Sequence, residues 1–405
     1  MLHYAFRGGD MKRYLLIFIL FSGILFSDMS KDLNLGIENL NSKEPLKRVY
    51  GAYKIGKLNE DISASIPYLI NILEDERVVI DKNIGKTSPS NEAKKVLIKI
   101  GSSALPYIFE KYNEENTSKL LKLKLIEICG EIKDENSLIF LEKIINDPDI
   151  EIKEKVIEIL SKNKEEIDFL IDYAKNCDNY LKLKIITGFG KNKVKEVISF
   201  LYECLKDKNW EVKKHAIWAL GEIKEIDINL LIPLVKDKSY LVRKEVAEAF
   251  GKIKNPVFVG YLIELLDDPE WLVRVASVKA LREIKDLRAV EPVINSLYDK
   301  QIEVRIEAVK TLANFKDRRA VIPLIMSLNN RYHLLIREFS AYALGEIRDK
   351  RAIYSLINLL SSSNFELRKI SHESLRKITG VDFGYDKKKW REWAEKNKIT
   401  SISEN

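Results

Sequence analysis

Apolar side chains recur three and four positions apart along most of this chain, in stretches that restart about every thirty residues. The position before a recurring basic residue holds Val212, Val242, Val273, Val304, Ile336 and Leu367. Seven positions after that basic residue stand Leu220, Phe250, Leu281, Leu312 and Leu344, and ten after it Ile223, Ile253, Ile284, Phe315 and Ile347. Three and four after it come pairs such as Val246-Ala247 and Ala308-Val309. These sets fall on one stripe of a helix with a period of 3.6 residues. Small residues six and eight after the basic residue, such as Ala219 and Gly221 or Ala343 and Gly345, allow neighbouring helices to approach closely.

The basic residues themselves are Arg48, Lys122, Lys153, Lys182, Lys213, Arg243, Arg274, Arg305, Arg337 and Arg368. From Lys122 onward the steps between them are 31, 29, 31, 30, 31, 31, 32 and 31 residues. A fixed period of this length predicts a solenoid, because each unit buries its apolar face only by stacking on its neighbours. Within one unit the spacing predicts a first helix over Ala320–Leu328, with Pro323 in its opening turns, then a turn, then a second helix over Ile336–Ile347. A further unit is expected at Asn91–Gly101, with Ala93 in the place of the basic residue. It stands 45 residues after Arg48, and the excess at Glu76–Ser90 is expected to form a surface loop between the two helices of its unit.

The phrases Trp218-Ala219-Leu220-Gly221-Glu222-Ile223, Arg288-Ala289-Val290-Glu291-Pro292 and Arg319-Ala320-Val321-Ile322-Pro323 resemble the HEAT-like repeats of the armadillo-type superfamily, in the short form also found in phycobilin lyases. The resemblance implies an all-α, right-handed superhelical solenoid of about ten to eleven helical hairpins over residues 45–380. It also implies that the acids six before the basic residues, such as Asp207, Asp237, Asp268 and Asp299, join neighbouring units as a structural ladder. After the last unit, Thr379-Gly380 leads to Phe383, Tyr385, Trp390 and Trp393, a tail resembling the ends of bacterial arrays of this kind. Terminal repeats need a cover over their open apolar face, so 381–405 is expected to be an aromatic cap helix and tail.

The ends and the composition add to this. Met11-Lys12-Arg13, an apolar run from Tyr14 to Phe26, and Ser27 have the layout of a secretory signal. Residues 1–27 are therefore expected to be an upstream extension plus signal peptide, and 28–44 a polar lead-in. The expected location is outside the cytoplasm, in the periplasm of a bacterium. The alternatives are an uncleaved anchor, the one route to membrane contact, and initiation at Met29, which gives a cytoplasmic protein. Net charge is 68 − 61 = +7 over 405 residues, with no basic block dense enough to predict nucleic-acid binding. Cys129, Cys177 and Cys204 have no metal-ligand spacing, and Cys129 falls on an apolar helix position.

Enzyme chemistry finds little purchase. Deoxyhypusine hydroxylase, which shares the repeat, builds an iron site from several His-Glu pairs, whereas His372-Glu373 is the one such pair here. Neither a catalytic motif nor a cofactor is expected. What rises above the background lies two and five positions after the basic residue, read as the exposed face of the second helix. Three units carry large rings there: Tyr50 and Tyr53, His215 and Trp218, Phe339 and Tyr342. In arrays of this family the second helices line the concave surface. The sequence thus predicts an exported, non-catalytic scaffold that grips a protein or peptide partner with these six residues. The competing readings are rings that pack sideways on neighbouring units or along lysine stems, a lyase or metal-dependent enzyme, and a membrane-tethered assembly factor.

Overall fold

The computed structural model describes residues 30–224, 227–329 and 331–400. The signal-like segment 1–27 and the Met29 alternative lie outside the described residues. The chain divides into two compact units at residues 166 and 167. Each unit is a stack of helical hairpins in which second helices pack on second helices.

In the first unit the hairpins are Lys31–Leu40 with Pro45–Lys57, Ile66–Asn71 with Pro89–Ile100, Leu105–Asn113 with Lys119–Ile132, and Glu135–Ile144 with Ile150–Leu160. Within the expected lead-in, Lys31–Leu40 is a helix. Leu33, Ile37 and Leu40 are spaced four and three apart, so they share one helix face, and all are buried. Ser30 starts this helix by accepting the Leu33 N–H at 3.2 Å. The expected loop at Glu76–Ser90 holds an antiparallel hairpin, Val79–Asp81 with Gly85–Thr87. Asp81 Oδ1 closes its turn by accepting the N–H groups of Asn83 and Ile84, and Gly85 takes a left-handed φ of 87°. Ala93 is fully buried, and Cys129 is a core residue whose thiol burial pushes up to about 12.

In the second unit the second helices are Asn179–Asn192, Trp210–Ile223, Tyr240–Ile253, Trp271–Ile284, Ile302–Phe315, Leu334–Ile347 and Phe365–Thr379. Each follows a first helix, short in most units, such as Ile198–Cys204 or Val321–Met326. Most of the apolar stripe read from the sequence is the core: Val242, Val246, Phe250, Val304, Val309 and Leu312 are fully buried, while Ile253, Ile284 and Phe315 in its last row are half-buried. The helices meet at the small residues. A Cβ added at Gly345 would lie 2.9 Å from Ser374 Cα, and one at Gly251 2.9 Å from Ala280 Cα.

Polar ladders fix the register of the stack. Arg243 donates through Nε and Nη2 to Asp268 at 2.6 and 2.8 Å, and Arg274 does the same to Asp299. Lys182 reaches Asp207 at 3.4 Å, and Lys213 pairs with Asp237. Each of these aspartates also accepts the N–H two residues on, at 2.8–2.9 Å, so one carboxylate closes its own turn and holds the preceding repeat. Arg319 Nη2 and Arg351 Nη2 donate to Leu287 O and Arg318 O of the repeat before, at 3.1 and 2.9 Å. Seven second helices end on Lys or Arg with φ between 53° and 62°, at Lys133, Lys193, Lys224, Lys254, Lys285, Lys316 and Arg348. From there Lys254 and Lys316 bind Glu283 and Glu346 of the following repeat at 2.7 and 2.8 Å.

The C-terminal helix Lys387–Lys396 packs on Ile353–Leu359 of the last hairpin. Trp390 is fully buried, meets Phe383 edge-on at 5.0 Å and donates its indole N–H to Gly384 O at 2.9 Å. Trp393 is half-buried. Tyr385, expected in the same aromatic cover, stays exposed and leans on His372, with ring centres 5.2 Å apart. Among the described residues no helix is long and apolar enough to cross a membrane.

Two substitutions test the stacking. Gly345→Ala forces its neighbour to shift and should cost about 1–3 kcal/mol in urea denaturation, whereas Gly260→Ala, with open space around its helical Cβ, should gain up to about 1 kcal/mol. Asp268→Ala leaves the largely buried Arg243 guanidinium without its carboxylate and should cost about 3–5 kcal/mol in the same measurement.

Candidate functional site

The six candidate rings lie at three separate places. Tyr50 and Tyr53 share the helix Pro45–Lys57 in the first unit. In the second unit His215 and Trp218 share Trp210–Ile223, and Phe339 and Tyr342 share Leu334–Ile347. Three second helices stand between these last two, so the rings do not form one cluster.

Their surroundings differ. Tyr50 and Tyr342 are 43% and 45% exposed, while Tyr53, His215, Trp218 and Phe339 are half-buried. A lysine ammonium lies over five of the six rings: Lys54 over Tyr50 at 5.2 Å, Lys57 over Tyr53 at 5.4 Å, Lys252 over Trp218 at 5.6 Å, Lys310 over Phe339 at 4.8 Å and Lys377 over Tyr342 at 4.9 Å. A cation over a ring face is attracted by the ring quadrupole. Lys252, Lys310 and Lys377 come from adjacent helices, and Trp218 rests against Gly190 of the helix before. His215 Nδ1 stands 2.8 Å from Glu211 O within its own helix. The rings therefore do pack along lysine stems and across neighbouring repeats, and they keep partial exposure as well.

The position two after the basic residue is not a uniformly exposed row. Glu245, Ala276 and Glu307 occupy it and are buried. Arg282 of the preceding repeat donates to Glu307. Burial pushes the Glu245 carboxyl up to about 7, with Glu248 adding to the rise, and its Oε1 has no hydrogen-bond partner. At the other extreme Glu346 is held down to about 2 by hydrogen bonds from Lys316 and Lys377, the lysine that lies over Tyr342.

One row escaped the sequence reading. Three positions before the basic residue, at the first turn of the second helix, stand Trp210, Tyr240, Trp271 and Phe365, with Tyr180 one position later in its own repeat. Tyr180, Trp210 and Tyr240 are 48%, 37% and 36% exposed. Lys184 and Lys214 cover Tyr180 and Trp210 at 5.1 and 5.9 Å. The signal was present in the repeat, one turn upstream of the positions used. Among the described residues no group of three or more His, Cys, Asp or Glu side chains is placed to hold a metal ion.

Residues 167–231, 227–282, 260–338 and 290–376 match the family model described as HEAT repeats. Together these segments run without a break from 167 to 376, more than half of the 405 residues. The chain belongs to the HEAT-repeat family. No curated protein matches it in sequence. Among solved structures it is similar to Kap121p bound to Nup53p, with a TM-score of 0.56 and 12% identity over 90% of this chain and 46% of that one. Kap121p bound to the extreme C-terminus of the protein phosphatase Cdc14p gives 0.54 and 13%, over 85% and 45%. The chain thus spans less than half the length of Kap121p. The CpcE–CpcF complex of phycocyanin lyase from Nostoc sp. PCC7120 gives 0.35 and 18%, over 57% and 94%. At these identities the likeness to Kap121p is one of fold.

The Glu245 carboxyl generates a prediction. An acid whose folded pKa is raised to about 7 stabilises the fold below its unfolded value, about 4.3, and that contribution is lost as pH rises through about 7. Glu245→Gln should therefore be more stable than the native chain at pH 8, by on the order of 1–3 kcal/mol, and nearly equal to it at about pH 4, in urea titrations at the two pH values.

Proposed function

We propose that this chain is a non-catalytic scaffold that binds a protein or peptide partner across the second helices of its repeats. The observation that carries this reading is the alignment of seven second helices in one stack, residues 179–379, with partly exposed rings and charged side chains along it. Such a stack offers side chains at regular intervals to a long, extended partner, and exposed Trp and Tyr dominate binding hot spots. The two Kap121p complexes lend support by analogy of fold alone. Within the second unit we assign the contacts to Trp218 and Tyr342, aided by His215 and Phe339; Tyr50 and Tyr53 are proposed as a separate contact of the first unit. Export from the cytoplasm belongs to the same proposal and is supported by the layout of residues 11–27.

The test is affinity capture from native cells with the full chain, compared with Trp218→Ala and Tyr342→Ala. Each variant should lose at least about ten-fold in partner recovered, as expected for a hot-spot ring, while its melting temperature stays close to native. If both variants recover the same partners in the same amounts, the assignment of these rings is wrong. Cell fractionation with an antibody to the mature chain checks export: the protein should be found outside the cytoplasm.

A further inference from the structure

The row missed in the sequence becomes specific in three consecutive repeats. The helices Asn179–Asn192, Trp210–Ile223 and Tyr240–Ile253 pack side by side. Each carries in its first turn a ring followed four residues later by lysine: Tyr180 and Lys184, Trp210 and Lys214, Tyr240 and Lys244. Two of the turns that lead into them repeat as well. Lys206 and Lys208 flank Asp207, Lys236 and Lys238 flank Asp237, and all four lysines are exposed.

Charge concentrates here. From Asn179 to Ile253 there are 15 Lys and Arg against 10 Asp and Glu, so this stretch carries +5 of the chain's +7. Some of the opposing charge is already engaged. Asp207 and Asp237 are tied to Lys182 and Lys213, Lys236 pairs with Glu264 at 3.1 Å, and Lys244 with Glu248 at 2.7 Å. Glu211 remains exposed beside Trp210. The N-terminal ends of the three helices add the positive pole of their dipoles on the same edge.

We infer that this edge docks an extended acidic polypeptide segment, its carboxylates held by Lys206, Lys208 and Lys238 and its large apolar side chains seated against the edges of Tyr180, Trp210 and Tyr240. The inference deepens the scaffold reading and rests on it. Two observations set the occupant's chemistry. First, the ammonium groups of Lys184 and Lys214 lie over the faces of Tyr180 and Trp210. A cation already over one face of two of the three rings disfavours the run of stacked bases that single-stranded nucleic acid requires, whereas the partial exposure of all three suits contact with apolar side chains. Second, packed helices stand about 8–10 Å apart, and a chain in the polyproline II conformation returns a side chain to the same side every three residues, about 9 Å. The match is about three residues per repeat, so the favoured segment has a large apolar residue at every third position with acids between.

The test uses the full chain and four fluorescein-labelled probes of equal length: tandem copies of Asp-Glu-Phe, of Asp-Glu-Ala, of Lys-Lys-Phe, and an oligothymidylate. By fluorescence anisotropy the Asp-Glu-Phe probe should bind at least about ten-fold tighter than each of the others, and its affinity should fall as salt is raised. The double variants Trp210→Ala with Tyr240→Ala, and Lys208→Glu with Lys238→Glu, should each weaken that probe about ten-fold or more. Met326→Ala, at an exposed position of a first helix outside both proposed contacts, should leave it unchanged. Lys208→Glu alone, in an exposed turn, serves where a double variant melts early, and should still weaken binding. Equal binding of the probes, tighter binding of oligothymidylate, or native-like binding by the variants would overturn the inference. Loss of native partners in Trp218→Ala together with indifference to all four probes would overturn it while leaving the scaffold reading in place.

Discussion

Within each unit the hairpins depend on the close contact of one second helix with its neighbour. A short first helix and a second helix of about fourteen residues cannot enclose a core between them. The stripe that carries Val242, Val246 and Phe250 becomes dry only because a neighbour lies against it. That neighbour must come close, and the small residues decide how close. Gly345 against Ser374 and Gly251 against Ala280 leave no room for even one methyl group. Apolar contact alone would allow the helices to slide. The carboxylates of Asp268 and Asp299, each shared between its own turn and the arginine of the preceding repeat, remove that freedom.

The sequence made much of this legible because solenoid packing repeats one local problem. Val212, Leu220 and Ile223 recur in phase, and so do Asp207 and Lys213, so ten copies of a weak pattern amount to a strong one. Where a feature occurs once, that amplification fails. Residues 31–40 contain Asn, Asp and Gly among only a few apolar positions, and their helix is settled by contact with Pro45–Lys57. The strand pair at Val79–Asp81 and Gly85–Thr87 sits in an insertion that no other repeat shares.

The site was harder to see for a different reason. Sequence spacing gives an angle around a helix, and exposure depends also on what the adjacent helices bring. Glu245 and Tyr50 hold the same place in the repeat, yet one is buried and the other open. The lysines over Trp218, Phe339 and Tyr342 come from other repeats, at positions no single-helix reading would select. The ring row at Tyr180, Trp210 and Tyr240 was periodic and visible in principle. It lies beyond the buried stripe, where a search anchored on core positions does not look.

The indole of Trp390 has a kinetic side. In a molecule held together neighbour to neighbour, fraying begins at an open end of the stack and travels inward one module at a time, and proteases follow the frayed segment. A buried ring fastened to Gly384 through its own N–H works as a latch on that route. Opening it means breaking the hydrogen bond and wetting the indole together. Peeling of this cover from the last hairpin should thus begin with that unlatching.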